Sequence, residues 1–377
     1  MDNIDEIDEI SKKILYLMAG FNTKQSEIIE IYKKNNFNIA RTLNSETFKN
    51  KSAQLQLGND KIFDFNNMIA YLGKNNINVL NISGKFYPKL LREIFYPPPV
   101  LFYKGNQILK SDYLLAIVGT RKCSAYGKDV ARYISRQLSK IGITIVSGMA
   151  SGIDYWAQKA ALEEKGSSIG ILGCGIDIIY PPENKDLYSQ LMDTGSLLTE
   201  FFPGTPPLKS NFPARNRIIS GMSMGVVVIE AGIKSGALIT GEFALNQNRE
   251  VFAIPGSIFN SESQGCHKLI KNGAKLVENI DDILEEISQY YKNDISCDFQ
   301  NESPADNFRQ KEKIDILVKT LNEKQRIVFD CLGCLPKSIE KIVYETKFKV
   351  QDLLQIISEL EIKELIKEKK YNAFIRL

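Results

Sequence analysis

Five short apolar runs, each followed at once by a glycine-bearing turn, constrain this chain more than any other feature. They are Leu114–Val118, Ile143–Val146, Ser168–Leu172, Gly225–Ile229 and Glu250–Ile254. Continuous β-branched runs without polar alternation suit strands covered on both faces, as in a parallel sheet. Helices are predicted between most of them, over Lys128–Lys140, Tyr155–Lys165, Asn184–Met192, Asn216–Met222 and Ala237–Asn248. Strand–helix alternation of this kind predicts an α/β fold with a doubly wound parallel sheet.

The turns carry the first chemical signal. The runs lead in order into Gly119-Thr120-Arg121, Ser147-Gly148-Met149-Ala150-Ser151-Gly152-Ile153-Asp154, Gly173-Cys174-Gly175, Glu230-Ala231-Gly232 with Ser235-Gly236 beyond it, and Pro255-Gly256-Ser257. In an open parallel sheet such turns gather at the carboxyl edge, where ligands bind. Glycine removes the Cβ that would hold a phosphate away from backbone N–H groups, and the following helix N-terminus adds partial positive charge. An anionic ligand is therefore expected at this edge.

Known nucleotide fingerprints are missing. No turn reads GxGxxG, and no GxxxxGK[ST] occurs, so neither a dinucleotide nor ATP hydrolysis has a seat. The segment Phe201–Arg217, FFPGTPPLKSNFPARNR, points instead to a single strand. Its cations, Lys209, Arg215 and Arg217, would hold phosphates, and Phe212 would stack on a splayed base. Arg121 adds a fork that a lysine would not reproduce. The structural alternative is that Phe212 belongs to the core and that Arg217 caps a helix or pairs with Glu200.

Several classes are disfavoured. The single histidine, His267, lies in a polar stretch and is read as a surface or helix-start residue; no catalytic residue and no metal site are expected. The six cysteines are scattered, which fits a reducing cytoplasm, and Cys331-Leu332-Gly333-Cys334 lacks the second pair that zinc requires. The acidic opening MDNIDEIDEI is no secretory signal, and no apolar run approaches the ~20 residues a membrane span needs. The net charge of +3 leaves nucleic acid to a local patch rather than to bulk charge.

The flanks read differently from the centre. Residues 1–85 suggest a small helical domain with helices over Ile7–Leu17, Glu27–Lys33 and Phe63–Leu72. The prolines at 97–99 break the pattern and feed a strand at Val100–Tyr103, within an α/β domain spanning 86–290. Residues 291–312 are polar and read as a linker. Residues 313–377 offer helices at Glu323–Leu332, Ser338–Thr346 and Val350–Glu359 and a closing hairpin, the content of a winged helix. The third helix presents Gln351, Asp352 and Glu359, a poor face for phosphates, and Lys363, Lys367, Lys369 and Lys370 lie toward the wing.

The motifs VGTRKCSAYG (118–127), SGMASGID (147–154), GCGIDIIYPPEN (173–184), FPARNRIISGMS (212–223) and VVVIEAGIKSGALIT (226–240) resemble those of the DNA-processing protein A (DprA/Smf) family. The resemblance covers about 85–285. It implies an extended Rossmann-like fold, with helical N-terminal and winged-helix C-terminal domains. It also implies single-stranded DNA binding, a homodimer, delivery of the strand to the RecA recombinase in natural transformation, no enzymatic activity and no cofactor. By this resemblance Gly119 and Arg121, Ser147 and Gly148, and Lys209, Phe212, Arg215 and Asn216 line the DNA pocket. Thr120, Arg217, Ser235 and Gly236 complete the candidate DNA- and phosphate-binding set. The chain departs from the family at Ser151, where arginine is usual, at Gln158, where histidine is usual, and near Gly265-Cys266-His267-Lys268, where an asparagine is usual. The competing reading is a nucleotide phosphoribohydrolase on the same sheet. Ser235–Glu242 partly echoes that group's Gly-Gly-x-Gly-Thr-x-x-Glu turn, and Glu230 and Glu242 would be its acids.

Overall fold

The structure, a computed structural model, describes residues 7–20, 25–35, 65–105, 113–164, 166–287, 321–332, 337–346, 348, 350–363, 365–370 and 373–376. The chain divides into two compact units, Met1–Asp298 and Phe299–Leu377. The stretch read as a linker lies outside the described residues, as does Cys334.

Within the first unit, the described strands form one nine-stranded sheet. In chain order they are β1 (Asn78–Asn81), β2 (Val100–Gly105), β3 (Leu114–Val118), β4 (Thr144–Ser147), β5 (Ser168–Ile171), β6 (Ser196–Thr199), β7 (Gly225–Val228), β8 (Glu250–Ala253) and β9 (Lys275–Leu276). Their spatial order is β1-β2-β6-β5-β4-β3-β7-β8-β9. Every pair from β6 across to β9 is parallel, whereas β2 runs antiparallel to β6 and β1 antiparallel to β2. The chain winds outward from β3 to β6, then returns to lay β7 on the other side of β3. That reversal is the topological switch point of a Rossmann-like sheet, at the carboxyl ends of β3 and β7, and open sheets of this class bind ligands in a crevice at that point.

All five predicted strands are present, together with three that the apolar pattern did not mark: β1, β6 and β9. The helices are α1 (Glu9–Gly20), α2 (Gln25–Lys34), α3 (Phe65–Lys74), the short α4 (Lys89–Arg92), α5 (Ala125–Lys140), α6 (Ile153–Glu163), α7 (Lys185–Thr194), α8 (Asn211–Gly221), α9 (Gly236–Asn246), α10 (Gln264–Lys271) and α11 (Asp281–Ile287). Two of them start earlier than expected for identifiable reasons. Ser124 caps α5 by accepting from Gly127 N at 3.0 Å. Helix α8 tolerates Pro213 because the first turn has no intrahelical acceptor for a proline N–H to miss.

Alternation along β2 assigns its residues to two cores. Leu101 and Tyr103 pack with Leu114, Ala116, Val118 and Val226, while Val100 and Phe102 pack with Ile14 and Leu15 of α1 and Leu72 of α3. The segment read as a separate helical domain, 1–85, thus shares a core with the sheet and donates β1 to it. Phe102 is completely buried at this junction and meets the Phe202 ring at 5.4 Å.

The second unit contains α12 (Glu323–Cys331), β10 (Lys337–Ser338), α13 (Ile339–Thr346), α14 (Val350–Ile362), β11 (Ile366–Lys370) and β12 (Ala373–Arg376). Its strands form a three-stranded sheet in the order β10-β12-β11 around a core of Val328, Phe329, Ile342, Leu353 and Ile357. A capping box starts α12, with Asn322 Oδ1 accepting from Gln325 N at 2.9 Å and Gln325 Oε1 accepting from Asn322 N at 3.2 Å.

Phe102→Ala should destabilise the first unit by ~3–5 kcal/mol, the usual cost of a buried aromatic truncated to a cavity. Urea unfolding followed by circular dichroism would measure it, and a loss below 1 kcal/mol would mean that the N-terminal helices do not seal the sheet.

Candidate functional site

Three backbone hydrogen bonds draw the turns at the switch point together. Thr120 N donates to Glu230 O at 2.7 Å, Ile153 N to Thr120 O at 3.2 Å, and Ala231 N to Glu262 O at 2.6 Å. The glycines of these turns let protein atoms approach one another. A Cβ on Gly119 would lie 2.5 Å from Ile153 Cγ1, and one on Gly152 would lie 2.4 Å from Thr120 O. Gly152 also has φ +79°, which other residues adopt only under strain. Gly236 differs, because no atom lies within 4 Å of where its Cβ would be. At Gly119, Gly148 and Gly152 the missing Cβ thus makes room for other protein atoms.

Arg215 lies beneath the Gly148 turn rather than on the surface. It is 4% exposed. Its Nη1 donates to Gly148 O at 2.8 Å and also to Ile171 O, and its Nε donates to Asn216 Oδ1 at 3.2 Å. A Cβ on Gly148 would collide with Arg215 Nη2 and Asp154 Oδ2, each at 2.8 Å. Asp154 accepts from Gly148 N at 3.0 Å and from Ala150 N at 3.4 Å. Burial pushes its carboxyl up, and the Arg215 charge together with these N–H donors pulls it back. Burial likewise lowers the Arg215 guanidinium to about 10, against the pull of Asp154, so the guanidinium is charged at neutral pH. Ser147 is fully buried, its Oγ donating to Ile117 O at 2.6 Å.

Arg217 is also engaged. Its Nη1 and Nη2 grip both oxygens of the buried Glu200 at 2.9 and 2.6 Å, the ion pair that the sequence offered as the alternative. Arg215 and Arg217 therefore tie α8 to the sheet at two points.

A different set reaches solvent. Arg121 is exposed, with its guanidinium carbon 5.6 Å from the centroid of the Phe212 ring. That ring rests on Gly173, whose Cβ would come within 2.8 Å of it, and is flanked by Tyr180 at 5.4 Å between centroids. Phe212 and Asn216, four residues apart, share one face of α8. Asn216 Nδ2 donates to Gly236 O at 3.3 Å, which links that face to the start of α9, capped by Ser235 accepting from Ala237 N at 3.3 Å. Lys209 is exposed just before α8 and, like Arg121, has no ion pair among the described residues. Thr120 is nearly buried; its Oγ1 accepts from Lys122 N at 3.3 Å.

The acids of the enzymatic alternative are placed otherwise. Glu230 is buried, and its carboxylate accepts from Ser124 N at 2.8 Å, Ser124 Oγ at 2.5 Å and Asn260 Nδ2 at 3.4 Å. It clamps the start of α5. Glu242 is exposed on α9. His267 Nε2 lies 3.1 Å from Gly256 O, against backbone. No grouping of three or more histidine, cysteine, aspartate or glutamate side chains suited to a metal occurs among the described residues. No described helix is long and apolar enough to cross a membrane.

An open, mostly parallel sheet wound in both directions from β3, with an exposed arginine and an aromatic ring near its switch point, defines a Rossmann-like domain. The profile of the DNA recombination-mediator protein A family matches residues 78–288, and the chain belongs to that family. It is 44% identical over 223 residues to the DNA processing protein DprA of Bacillus subtilis, covering 59% of this chain and 75% of that one. It is 47% identical over 206 residues to its counterpart in Streptococcus pneumoniae, covering 55% and 73% respectively. The X-ray structure of that S. pneumoniae protein superposes with a TM-score of 0.63 at 36% identity, covering 73% of this chain and 97% of that one. A structure of DNA processing protein A from Helicobacter pylori, described for its single-stranded DNA binding mode, superposes with a TM-score of 0.52 at 29% identity, over 57% of this chain and 97% of that one.

Arg215→Ala should cost ~3–5 kcal/mol of stability, because it leaves Asp154 buried without its counter-charge. Arg121→Ala should stay within ~0.5 kcal/mol of the parent, as surface changes do. Denaturant unfolding of both variants would test the division, and equal losses would refute it.

Proposed function

We propose that this protein binds single-stranded DNA along the switch-point crevice, without strong sequence preference and without catalysis. The observation that carries the proposal is Arg121. It is an exposed guanidinium with no ion pair among the described residues, poised over the ring of Phe212, on the helix whose Asn216 reaches the start of α9. A phosphate docked between Arg121 and the Gly236 end of α9 would gain a bidentate fork and the partial charge of a helix N-terminus. A base splayed from it would reach the exposed surface of the Phe212 ring and exchange water for stacking worth ~1–3 kcal/mol. Lys209 would hold a neighbouring phosphate as a point charge.

In this reading the candidate residues divide into two groups. Arg121, Lys209, Phe212, Asn216, Ser235 and Gly236 touch the strand. Gly119, Thr120, Ser147, Gly148, Arg215 and Arg217 position them. Membership of a recombination-mediator family and the single-stranded DNA binding described for the H. pylori relative support this assignment. The same membership underlies the further reading that the protein acts in the cytoplasm as a homodimer. Two crevices would then hold one strand with avidity and pass it to the RecA recombinase. The second unit is read as a winged helix from its three helices and small sheet.

The test is fluorescence anisotropy of labelled oligo-dT over a salt series, with duplex as competitor. Arg121→Ala and Lys209→Ala should each weaken binding and flatten the logarithmic salt slope by about one unit. Arg215→Ala should lower affinity in proportion to lost folded protein. Unchanged slopes in both surface variants would remove the crevice from the interface. Release of free base from AMP, with no DNA binding at low salt, would establish the phosphoribohydrolase instead.

A further inference from the structure

We infer that Trp156 forms a second base-stacking platform, one helical turn beyond the crevice, onto which the strand continues after Arg121. The inference rests on the single-strand reading above and adds a site on α5 and α6 outside the crevice.

Trp156 lies in the first turn of α6, its backbone N–H donating to Gly152 O at 3.1 Å. Gly152 in turn packs on the Arg121 backbone, since a Cβ there would lie 2.7 Å from Arg121 C. The tryptophan is thus about one turn, roughly 5–6 Å along the helix axis, from the loop that presents Arg121. Its indole is only partly buried. Two cations of α5 cover it, with Lys128 Nζ 3.8 Å and Arg132 Cζ 5.9 Å from a ring centroid, and the Tyr155 ring meets it edge-on at 5.0 Å. A large aromatic held at a surface by cations is the pairing that single-stranded nucleic acid uses, base on ring and phosphate on cation.

The two cations differ in availability. Arg132 is paired with Glu163 at 3.3 Å, and Arg136 reaches the same carboxylate at 2.6 Å. Lys128 has no ion pair among the described residues and uses the indole face as its partner. A base arriving on that face would displace the ammonium, and the flexible lysine stem would carry it to the adjoining phosphate. The exchange of a cation–π contact for base stacking plus a phosphate contact leaves no charge unpaired. Asp186 and Glu163 lie farther along the α6 surface, where Lys159 Nζ at 3.4 Å and the two arginines neutralise them. The open positive charge is therefore concentrated at the Arg121 end.

Trp156 is the only tryptophan of the chain, so its emission reports this platform alone. Oligo-dT of about 20 nucleotides, longer than one compact binding site, is titrated into the intact protein while tryptophan emission and oligonucleotide anisotropy are followed together. The expected result is quenching with the same midpoint as the anisotropy change. Trp156→Ala should weaken binding about tenfold, with Trp156→Phe recovering most of it, since either ring offers a face. Anisotropy that rises while emission stays unchanged would overturn the platform and leave the crevice reading intact. No binding in either channel would overturn both. Should Trp156→Ala fail to fold, the quenching of the unaltered protein decides the question alone.

Discussion

A single buried guanidinium organises the carboxyl edge of this sheet. Arg215 meets the end of β5 through Ile171 O, the turn after β4 through Gly148 O, and the start of α6 through the charge of Asp154. Four elements are thereby referred to one planar group. Burying two opposite charges costs several kcal/mol of hydration for each, and the gain from pairing offsets that cost only where the remaining donors and acceptors are also satisfied. Here they are supplied by two carbonyls on one side and two backbone N–H groups on the other. What the arrangement secures is geometry. An apolar side chain of equal volume would fill the space without specifying the height of the Gly148 turn.

That geometry explains the glycines. Gly148 must lack a Cβ because Arg215 and Asp154 occupy its place, and Gly152 must lack one because the Arg121 loop does. With the loops packed on each other, little of the edge remains free. What projects is the Arg121 fork, one face of α8 bearing Phe212 and Asn216, and the open position at Gly236. The interior pairs hold this small exposed set in place.

The parallel strands were legible because burial on both faces leaves continuous apolar runs, and the sheet class followed from their alternation with helices. Strands β1, β6 and β9 were not. Ser196–Thr199 and Asn78–Asn81 are short and carry polar ends, and their existence depends on pairing with β2 rather than on local pattern. Residues 1–85 read as a separate domain because helical periodicity reveals an apolar face without revealing what covers it; the cover is β2. The candidate arginines were found by type but not by role. Arg121, Arg215 and Arg217 look alike in sequence. Only the start of α8 at Asn211, through a proline, turns Arg215 inward while leaving Phe212 and Asn216 outward.

This sorting of cations by partner also determines how the protein can recognise a polyanion. Arg217 is committed to Glu200, and Arg132 and Arg136 to Glu163, so they add little to the outward field. Arg121, Lys122, Lys128, Lys209 and Lys234 are cations of the crevice loops and of α5 that carry no ion pair among the described residues. The free charges, in a chain of net charge +3, release a limited number of counterions on binding. Electrostatics alone acts on a duplex as well as on a single strand and weakens as salt rises. Rings must supply the balance, and a duplex withholds its bases from rings. In the proposed reading, preference for a single strand would follow from accessible aromatic faces set beside free cations, and it would require no readout of base edges.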